Sequence, residues 1–389
     1  MKVYDRKNVA SSLQYGILIE ALREAFSSKI TAPERVQHTI ENKNGSDATL
    51  LLMPAWKMGE HIGIKIVSVF PENTSQNMSA VHANYFLMDA NNGKPIAIMD
   101  GTELTLRRTA CASALAADYL VNKNANTLLM IGTGNLAPHL IKAHCVARDY
   151  SKILIWGRNK VKAEKLAHSL DIKGKEIMVM NDLKEALNVA DVISCATLSE
   201  RPLIMGDWIK PGQHLDLVGA FTPDMAEADS KAIAMSKIVV DTYEGALSES
   251  GELINALKEG RIEKKHILSD LRGLVMEEKN IRNDSNDITL FKSVGTALED
   301  LAAAEYELAE DENRNFLLKN YISNLNQNYD YIFIDTPPTL GLLTISSLTA
   351  SDEVLIPVQC EFFALEGLSK LIKSIDAVKN NLNSELKLN

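Results

Sequence analysis

Residues 132–137 read Gly-Thr-Gly-Asn-Leu-Ala and follow directly on the apolar run Thr127–Ile131. A strand, a glycine turn and a helix start in that order form the G-x-G-x-x-A fingerprint of a dinucleotide site. Gly132 suits the tight turn, Gly134 lets backbone approach a pyrophosphate without an intervening Cβ, and Ala137 keeps helix and strand close. The helix N-terminus then offers free N–H groups and a positive dipole end to the phosphates, with Asn135 and Leu136 as candidate contacts in that turn. A site for NAD usually carries an acid about 20 residues on, for the ribose hydroxyls. Here the chain reads Ile155-Trp156-Gly157-Arg158-Asn159, with no acid. Arg158 is suited to pair with a 2′-phosphate and stack on adenine, which favours NADP(H) and leaves NAD(H) open. A solvated turn arginine is the plain alternative.

Three cations stand out upstream. Lys65 interrupts the apolar strand Gly63-Ile64-Lys65-Ile66-Val67, Arg35 follows Pro33-Glu34, and Arg107-Arg108-Thr109 opens a helix otherwise made of Ala, Ser and Leu. With the helix read over Thr109–Asn122, Arg108 stands at its N-terminus and opposes the dipole. It therefore calls for an anion, either a carboxylate ligand or a buried acid. Singly, each cation reads as structural. Beside a nicotinamide site, the three suit a small carboxylate substrate.

The elements that must hold these residues divide the chain by pattern. Residues 1–118 combine an amphipathic helix, Leu13–Phe26, with short strands at Thr49–Met53, Gly63–Phe70, Tyr85–Asp89 and Pro95–Asp100. Asn/Gly turns at 42–45 and 91–93 separate them, so this part reads as α+β with a mostly antiparallel sheet. Residues 119–295 change to buried apolar strands alternating with helices: Thr127–Ile131, Lys152–Trp156, Glu176–Met180, Asp191–Ala196, His214–Val218 and Lys237–Asp241, with helices at Lys160–Leu170 and Gly245–Lys258. That rhythm means a Rossmann-type parallel sheet covered on both faces, hence an α/β protein. A helix over 296–311 joins the first part.

Composition narrows the class. The chain has 389 residues and a formal charge of −10, which argues against nucleic acid or an anionic membrane as main partner. Cys111, Cys145, Cys195 and Cys360 are far apart, without metal-ligand or disulfide spacing, and read as buried thiols of a cytoplasmic protein. No metal site is expected.

Seven ordered segments resemble the ornithine cyclodeaminase/mu-crystallin family over residues 1 to about 311. They are Leu52-Met53-Pro54-Ala55, Gly63-Ile64-Lys65, Leu104 to Ala110, Gly132-Thr133-Gly134, Val218 to Met225, Glu249-Ser250-Gly251-Glu252 and Ile288 to Gly295. The resemblance implies a homodimer whose N-terminal part forms the dimer interface and much of the substrate pocket. It implies that Arg35, Lys65 and Arg108 hold a substrate carboxylate, with Lys65 assisting proton transfer and Arg108 also near the cofactor. Thr197, Val218, Gly219 and Ala220 would line the nicotinamide, and Ser293 and Val294 would close the site. Ornithine cyclodeaminase carries an Asp just after the glycines of the fifth strand; this chain has Phe221, which can neither pair with an ammonium nor accept a proton. The expected activity is therefore NAD(P)H-dependent reduction of a small cyclic ketimine acid, foremost Δ1-pyrroline-2-carboxylate to proline. Ornithine cyclodeamination, alanine dehydrogenation and NADPH-dependent ligand binding without turnover are the alternatives.

Residues 314–389 do not fit this pattern. Tyr329 to Pro338, Gly341 to Thr344, Ile356 to Glu361 and Ala364 to Gly367 resemble the middle of a ParA/Soj-type partitioning ATPase, with Asp335 ending a Walker B-like strand. The chain has no G-x-x-x-x-G-K-[ST] to cradle phosphate, so the expectation is a truncated α/β piece without ATP binding.

Overall fold

The computed structural model describes residues 1–389 apart from 43–44, 77, 278–279, 310–314, 326–328, 337–341, 358–370, 373–374, 381 and 389, and without the side chains of 74–76, 317 and 342. The chain forms two compact units, Met1–Ala304 and Glu305–Asn389.

The first unit holds two sheets. One contains β1 (Lys2–Tyr4), β2 (Ile30–Thr31), β3 (Val36–Ile40), β4 (Ala48–Lys57), β5 (His61–Val69), β6 (Val81–Asp89) and β7 (Pro95–Asp100). Its order is β1-β7-β6-β5-β4-β2, with β3 also on β4, and only β1 pairs in parallel. The two-residue period of the strands sorts side chains by face. Lys65 pairs with Met53 and Tyr85 and shares their buried face. Gly63 is obligatory there, because an added Cβ would stand 1.7 Å from Tyr85 Oη. Part of the Asn/Gly turn at 42–45 lies outside the described residues.

Three helices accompany this sheet: α1 (Arg6–Ser12), α2 (Tyr15–Ser27) and α3 (Gly101–Leu120). The helix expected over Leu13–Phe26 is α2, which begins two residues later, and α1 is a further helix before it. The expected start of α3 also needs correction. Asp100 caps it, accepting from Glu103 N at 2.7 Å, so Arg108 lies two turns inside the helix rather than at its N-terminus. The dipole argument for a counter-anion falls. Burial replaces it, since Arg108 is 4% exposed.

The second sheet is wholly parallel and contains β8 (Thr127–Ile131), β9 (Lys152–Trp156), β10 (Glu176–Val179), β11 (Val192–Cys195), β12 (His214–Leu217), β13 (Ser236–Val240), β14 (Ile267–Asp270) and β15 (Ile288–Lys292). Six of these strands match the expected runs; β14 and β15 extend the sheet. The order β10-β9-β8-β11-β12-β15-β13-β14 steps one way from β8 and then returns past it at β11. Ligands of such sheets bind outside the carboxyl ends of the strands at that switch point, here where Gly132 follows β8 and Thr197 follows β11. Among its helices are α4 (Ala137–Ala147), α5 (Lys160–Ser169), α6 (Leu183–Val189), α7 (Ser230–Ala234), α8 (Tyr243–Glu249), α9 (Gly251–Lys258) and α10 (Leu271–Met276), while α11 (Ala297–Ala309) follows β15 and bonds to β5 and α3. The helix expected over Gly245–Lys258 breaks at Ser250, whose hydroxyl caps α9 through Leu253 N. Between α4 and the sheet lies a buried polar group that patterning did not reveal. Asp216 accepts from Ser194 Oγ at 2.7 Å and lies 3.1 Å from His144 Nε2.

In the second unit, helices run over Leu317–Ser323 and Leu342–Ala350, and Glu353–Val354 pairs in parallel with Lys387–Leu388. The Walker B-like strand is not formed. Residues 331–336 carry no regular structure, Tyr331 and Phe333 are 81% and 88% exposed, and Asp335 is exposed. A strand exists only through a paired ladder, and no described strand pairs with this segment. The expected segments at 337–341, 358–361 and 364–367, with Cys360, lie outside the described residues. Cys111 and Cys195 are buried free thiols, whereas Cys145 is half-buried. No helix among the described residues is long and apolar enough to cross a membrane.

Candidate active site

The dinucleotide half of the site begins at the carboxyl end of β8. Gly132 has φ +118°, and a Cβ there would lie 2.5 Å from the Ala196 carbonyl, so the turn admits only glycine. Gly134 differs: a Cβ on it would meet nothing within 4 Å, leaving open space above the turn. Leu136, at the N-cap of α4, makes no side-chain cap. The amides of Gly134, Asn135 and Leu136 donate to no described residue. Open space, free amides and a helix N-terminus together fit a pyrophosphate. Arg158 stands exposed beyond β9 and pairs with no described residue.

Deeper in, Glu227 ties two loops together. Its carboxylate accepts from Thr197 N at 2.7 Å, Thr197 Oγ1 at 2.9 Å and Gly219 N at 2.7 Å. Burial pushes its carboxyl up to about 6, while Lys292 pulls the other way. Lys292, fully buried, donates to the Ala220 carbonyl at 2.6 Å and pairs with Glu252 at 2.8 Å. Thr197, Val218, Gly219 and Ala220 are therefore held in a fixed wall. Sequence reasoning passed over Glu227, Glu252 and Lys292 as functional groups. An acid or lysine inside an otherwise apolar, buried stretch was the available signal, and it acts only once the fold brings three such stretches together.

The cationic half is built on β5, α3 and α11. Lys65 is 2% exposed, and its Nζ lies 2.9 and 2.7 Å from the two oxygens of Asp300 and 3.3 Å from Thr105 Oγ1. Arg108 donates through Nε to Asp300 at 2.8 Å and through Nη1 to Glu299. The anion that Arg108 requires is thus a pair of buried acids, the second of the two alternatives left open by the sequence. Burial lowers Lys65 to about 8, with Arg108 and Arg35 adding to the fall and Asp300 opposing it. Glu299 is pushed up to about 7, by burial first and then, against Arg108, by Asp241 and Asp300.

The segment after β15 completes this half. Arg35 Nη2 donates to the carbonyls of Val294 at 2.9 Å and Gly295 at 2.6 Å, and its Nε pairs with Glu249 at 3.0 Å. From the other side Asp241 accepts from Ser293 Oγ, Val294 N and Gly295 N at 3.0, 2.7 and 2.6 Å. Gly295 has φ +83°, and a Cβ on it would press within 2.7 Å of Arg108 Nη1. Glycine lets the backbone lie flat against the guanidinium.

Strand register joins the halves. Leu217 pairs with Lys292, so Val218 and Ser293 emerge side by side from β12 and β15. The structure thus brings Arg35, Lys65, Arg108, Ser293 and Val294 together, and Gly132, Gly134, Thr197 and Val218 to Ala220 beside them. Phe221 is 43% exposed on the loop after β12, and Asp224 is exposed on the same loop; neither belongs to the charged clusters. Such a site can bind a dinucleotide along the switch point and fix an anion, with a lysine able to exchange a proton near neutral pH.

Comparison with known proteins identifies the family. A model of the ornithine cyclodeaminase/mu-crystallin family matches residues 2–313, and an AAA-domain model matches residues 252–388. The Δ1-pyrroline-2-carboxylate reductase of Colwellia psychrerythraea is 35% identical, over 78% of this chain and 97% of its own length. The solved structure of Thermococcus litoralis Δ1-pyrroline-2-carboxylate reductase in complex with NADH and L-proline is 34% identical with a TM-score of 0.76, covering 80% of this chain and 98% of that one. An archaeal alanine dehydrogenase dimer with bound NAD is 28% identical with a TM-score of 0.74, covering 82% and 97%.

Proposed function

This chain belongs to the ornithine cyclodeaminase/mu-crystallin family, and from that premise we propose that it is an NAD(P)H-dependent reductase of Δ1-pyrroline-2-carboxylate. The observation that carries the reading is the buried Lys65–Asp300–Arg108 array beside Ser293 to Gly295, next to the dinucleotide wall. The reductases of Colwellia and Thermococcus support the choice of substrate. In this reading residues 1–118 supply the carboxylate clamp, residues 119–295 hold the cofactor, and the tail from 314 onward, which resembles a ParA/Soj-type segment, takes no part in the reaction.

The free amides of Gly134 to Leu136 would hold the pyrophosphate, and Thr197 with Val218 to Ala220 would line the nicotinamide. Bound there, a reduced nicotinamide supplies hydride to the C=N carbon. The protein must do the rest. Arg108 and Arg35 orient the substrate carboxylate, and positioning of this kind accounts for much of a barrier reduction. Lys65, charged below about 8, donates a proton towards the imine nitrogen, so that the carbon becomes the stronger electrophile. Phe221 offers an apolar face to a ring that has no side-chain amine.

Purified protein is expected to oxidise NADPH with Δ1-pyrroline-2-carboxylate and to release no ammonia from ornithine. Ammonia release from ornithine without imine reduction would reverse the reading.

NADP(H) is the favoured cofactor in this proposal because Arg158 is exposed, unpaired among the described residues and placed beyond β9 without an acid. Arg158→Asp is expected to raise the KM for NADPH roughly 10- to 100-fold while lowering or sparing that for NADH, the scale of one strong charge-assisted contact. Equal KM changes for both cofactors would remove the argument for a 2′-phosphate partner.

A second copy of the chain is the proposed partner. On the sheet face opposite Lys65, Leu50 and Leu52 of β4, Ile62, Ile64 and Ile66 of β5, and Phe86 and Met88 of β6 remain partly accessible. A largely apolar sheet face of this kind, with Ser68, His82 and Asn84 among its members, is what isologous dimers bury.

A further inference from the structure

Charge counting around the clamp exposes an imbalance. Lys65, Arg108 and Arg35 face Asp300, Glu299, Asp241 and Glu249, three cations against four carboxyl groups. Lys65, Arg108, Asp300, Glu299 and Asp241 are each 4% exposed or less. A substrate carboxylate would add another negative charge to a space from which water is nearly excluded. Uncompensated charge there is costly, and a carboxyl crowded by others responds by binding a proton.

Glu299 is the group placed to do so. Its Oε1 has no hydrogen-bond partner among the described residues, and its Oε2 is held by Arg108. The other groups facing it are Asp300 from the same helix, Asp241 from the end of β13 and the Cys111 thiol from α3. Asp300 also has an oxygen without a hydrogen bond among the described residues, Oδ2, but that oxygen lies 2.7 Å from the Lys65 ammonium, whereas Oε1 of Glu299 has no cation of its own. Asp241 keeps the backbone amides of Thr242, Val294 and Gly295 as donors. Arg108 Nη2 donates to no described residue, which leaves that edge of the guanidinium for a ligand.

Resting on the imine-acid reading above, we propose that Glu299 is the proton-holding residue of this site. Seating a carboxylate on Arg108 weakens the hold of Arg108 on Glu299, and Glu299 takes up one proton from solvent. The site thereby keeps its net charge when an anion enters, and Lys65 keeps its own proton for the imine. Because Glu299 already sits at about 7, uptake falls in the neutral range.

The test is calorimetric titration of pyrrole-2-carboxylate, a planar carboxylate that cannot be reduced, into NADPH-saturated protein. Titrations at pH 7.5 in buffers of different ionisation enthalpy give the number of protons bound per ligand. More than half a proton is expected for the wild type, vanishing towards pH 6, where Glu299 is already protonated. Glu299→Gln, which keeps the shape and an acceptor for Arg108, should still bind and show less than about a quarter of a proton, the share left to Lys65. Glu299→Asp should restore uptake. Binding without buffer dependence in the wild type, or undiminished uptake in Glu299→Gln, overturns the assignment while leaving the imine-acid reading intact. Failure of the wild type to bind this carboxylate at all overturns both. If Glu299→Gln does not fold, the pH course of wild-type uptake decides: uptake confined above pH 8 belongs to Lys65 and refutes the proposal.

Discussion

Lys65→Met is expected to lower kcat for imine reduction by roughly 10²–10⁴-fold, the range for loss of a positioned proton donor. Methionine fills nearly the same volume on the buried face of β5, between Met53 and Tyr85, so the sheet should survive the change. Dinucleotide affinity should change little, because Lys65 lies on the other sheet from the glycine turn. A pH signature accompanies the loss. Burial holds Lys65 at about 8, below the usual lysine value, and only its charged form can donate. In the wild type kcat/KM should therefore fall about tenfold per pH unit once pH rises through about 8. In the variant the step at about 8 should disappear, leaving only the decline above pH 7 that proton uptake by Glu299 on binding contributes. Steady-state rates from pH 6 to 10 with fixed NADPH read both effects. A variant within tenfold of the wild type, with the limb intact, would show that the proton comes from elsewhere.

Asp300→Ala should have the largest effect on stability. Asp300 is fully buried and lies between the Lys65 ammonium and the Arg108 guanidinium. Removing it leaves two cations facing each other without the carboxylate that lies between them. Breaking a buried ion pair in this way typically costs about 3–5 kcal/mol, because the surviving charge stays in low dielectric. Urea unfolding, analysed as the shift of the midpoint at constant slope, measures it. Lys65→Met in the same chain should recover part of the loss, since it removes one of the stranded charges, and the double-mutant cycle gives the coupling. A loss below about 1 kcal/mol would mean that water reaches the cluster and screens it. Where Asp300→Ala still folds, the lysine loses the partner that raises its proton affinity, so the alkaline limb should move below pH 8.

The two halves of the site were unequally legible. The glycine turn at 132–137 could be read because its chemistry is local: a strand end, two glycines and a helix start lie within one short segment. Structure then separated roles that the motif runs together. Gly132 is needed for positive φ and for the approach of Ala196, whereas Gly134 leaves space that no protein atom fills. The cations were legible as types out of place, Lys65 in an apolar strand and Arg108 in a small-residue helix. Their reason was misread for Arg108, because the start of α3 depends on the cap at Asp100 and not on the run of alanines. In the tail, the apolar run before Asp335 looks like a strand, yet no described strand pairs with it.

By itself the sequence determined the alternation of strands and helices, the dinucleotide turn and the identity of three cations, since each depends on neighbours a few positions away. It also carried Phe221, whose place after the fifth strand underlies the proposal of imine reduction over cyclodeamination. Only the tertiary structure decided what the cations face. Asp300 and Glu299 lie more than 190 positions from Arg108 along the chain, and Glu227 reaches back 30 residues to Thr197. No local pattern marks such pairs, because a buried charge is stable only against partners that the fold delivers. The dinucleotide turn is a property of a segment, whereas the clamp beside it is a property of the packed molecule.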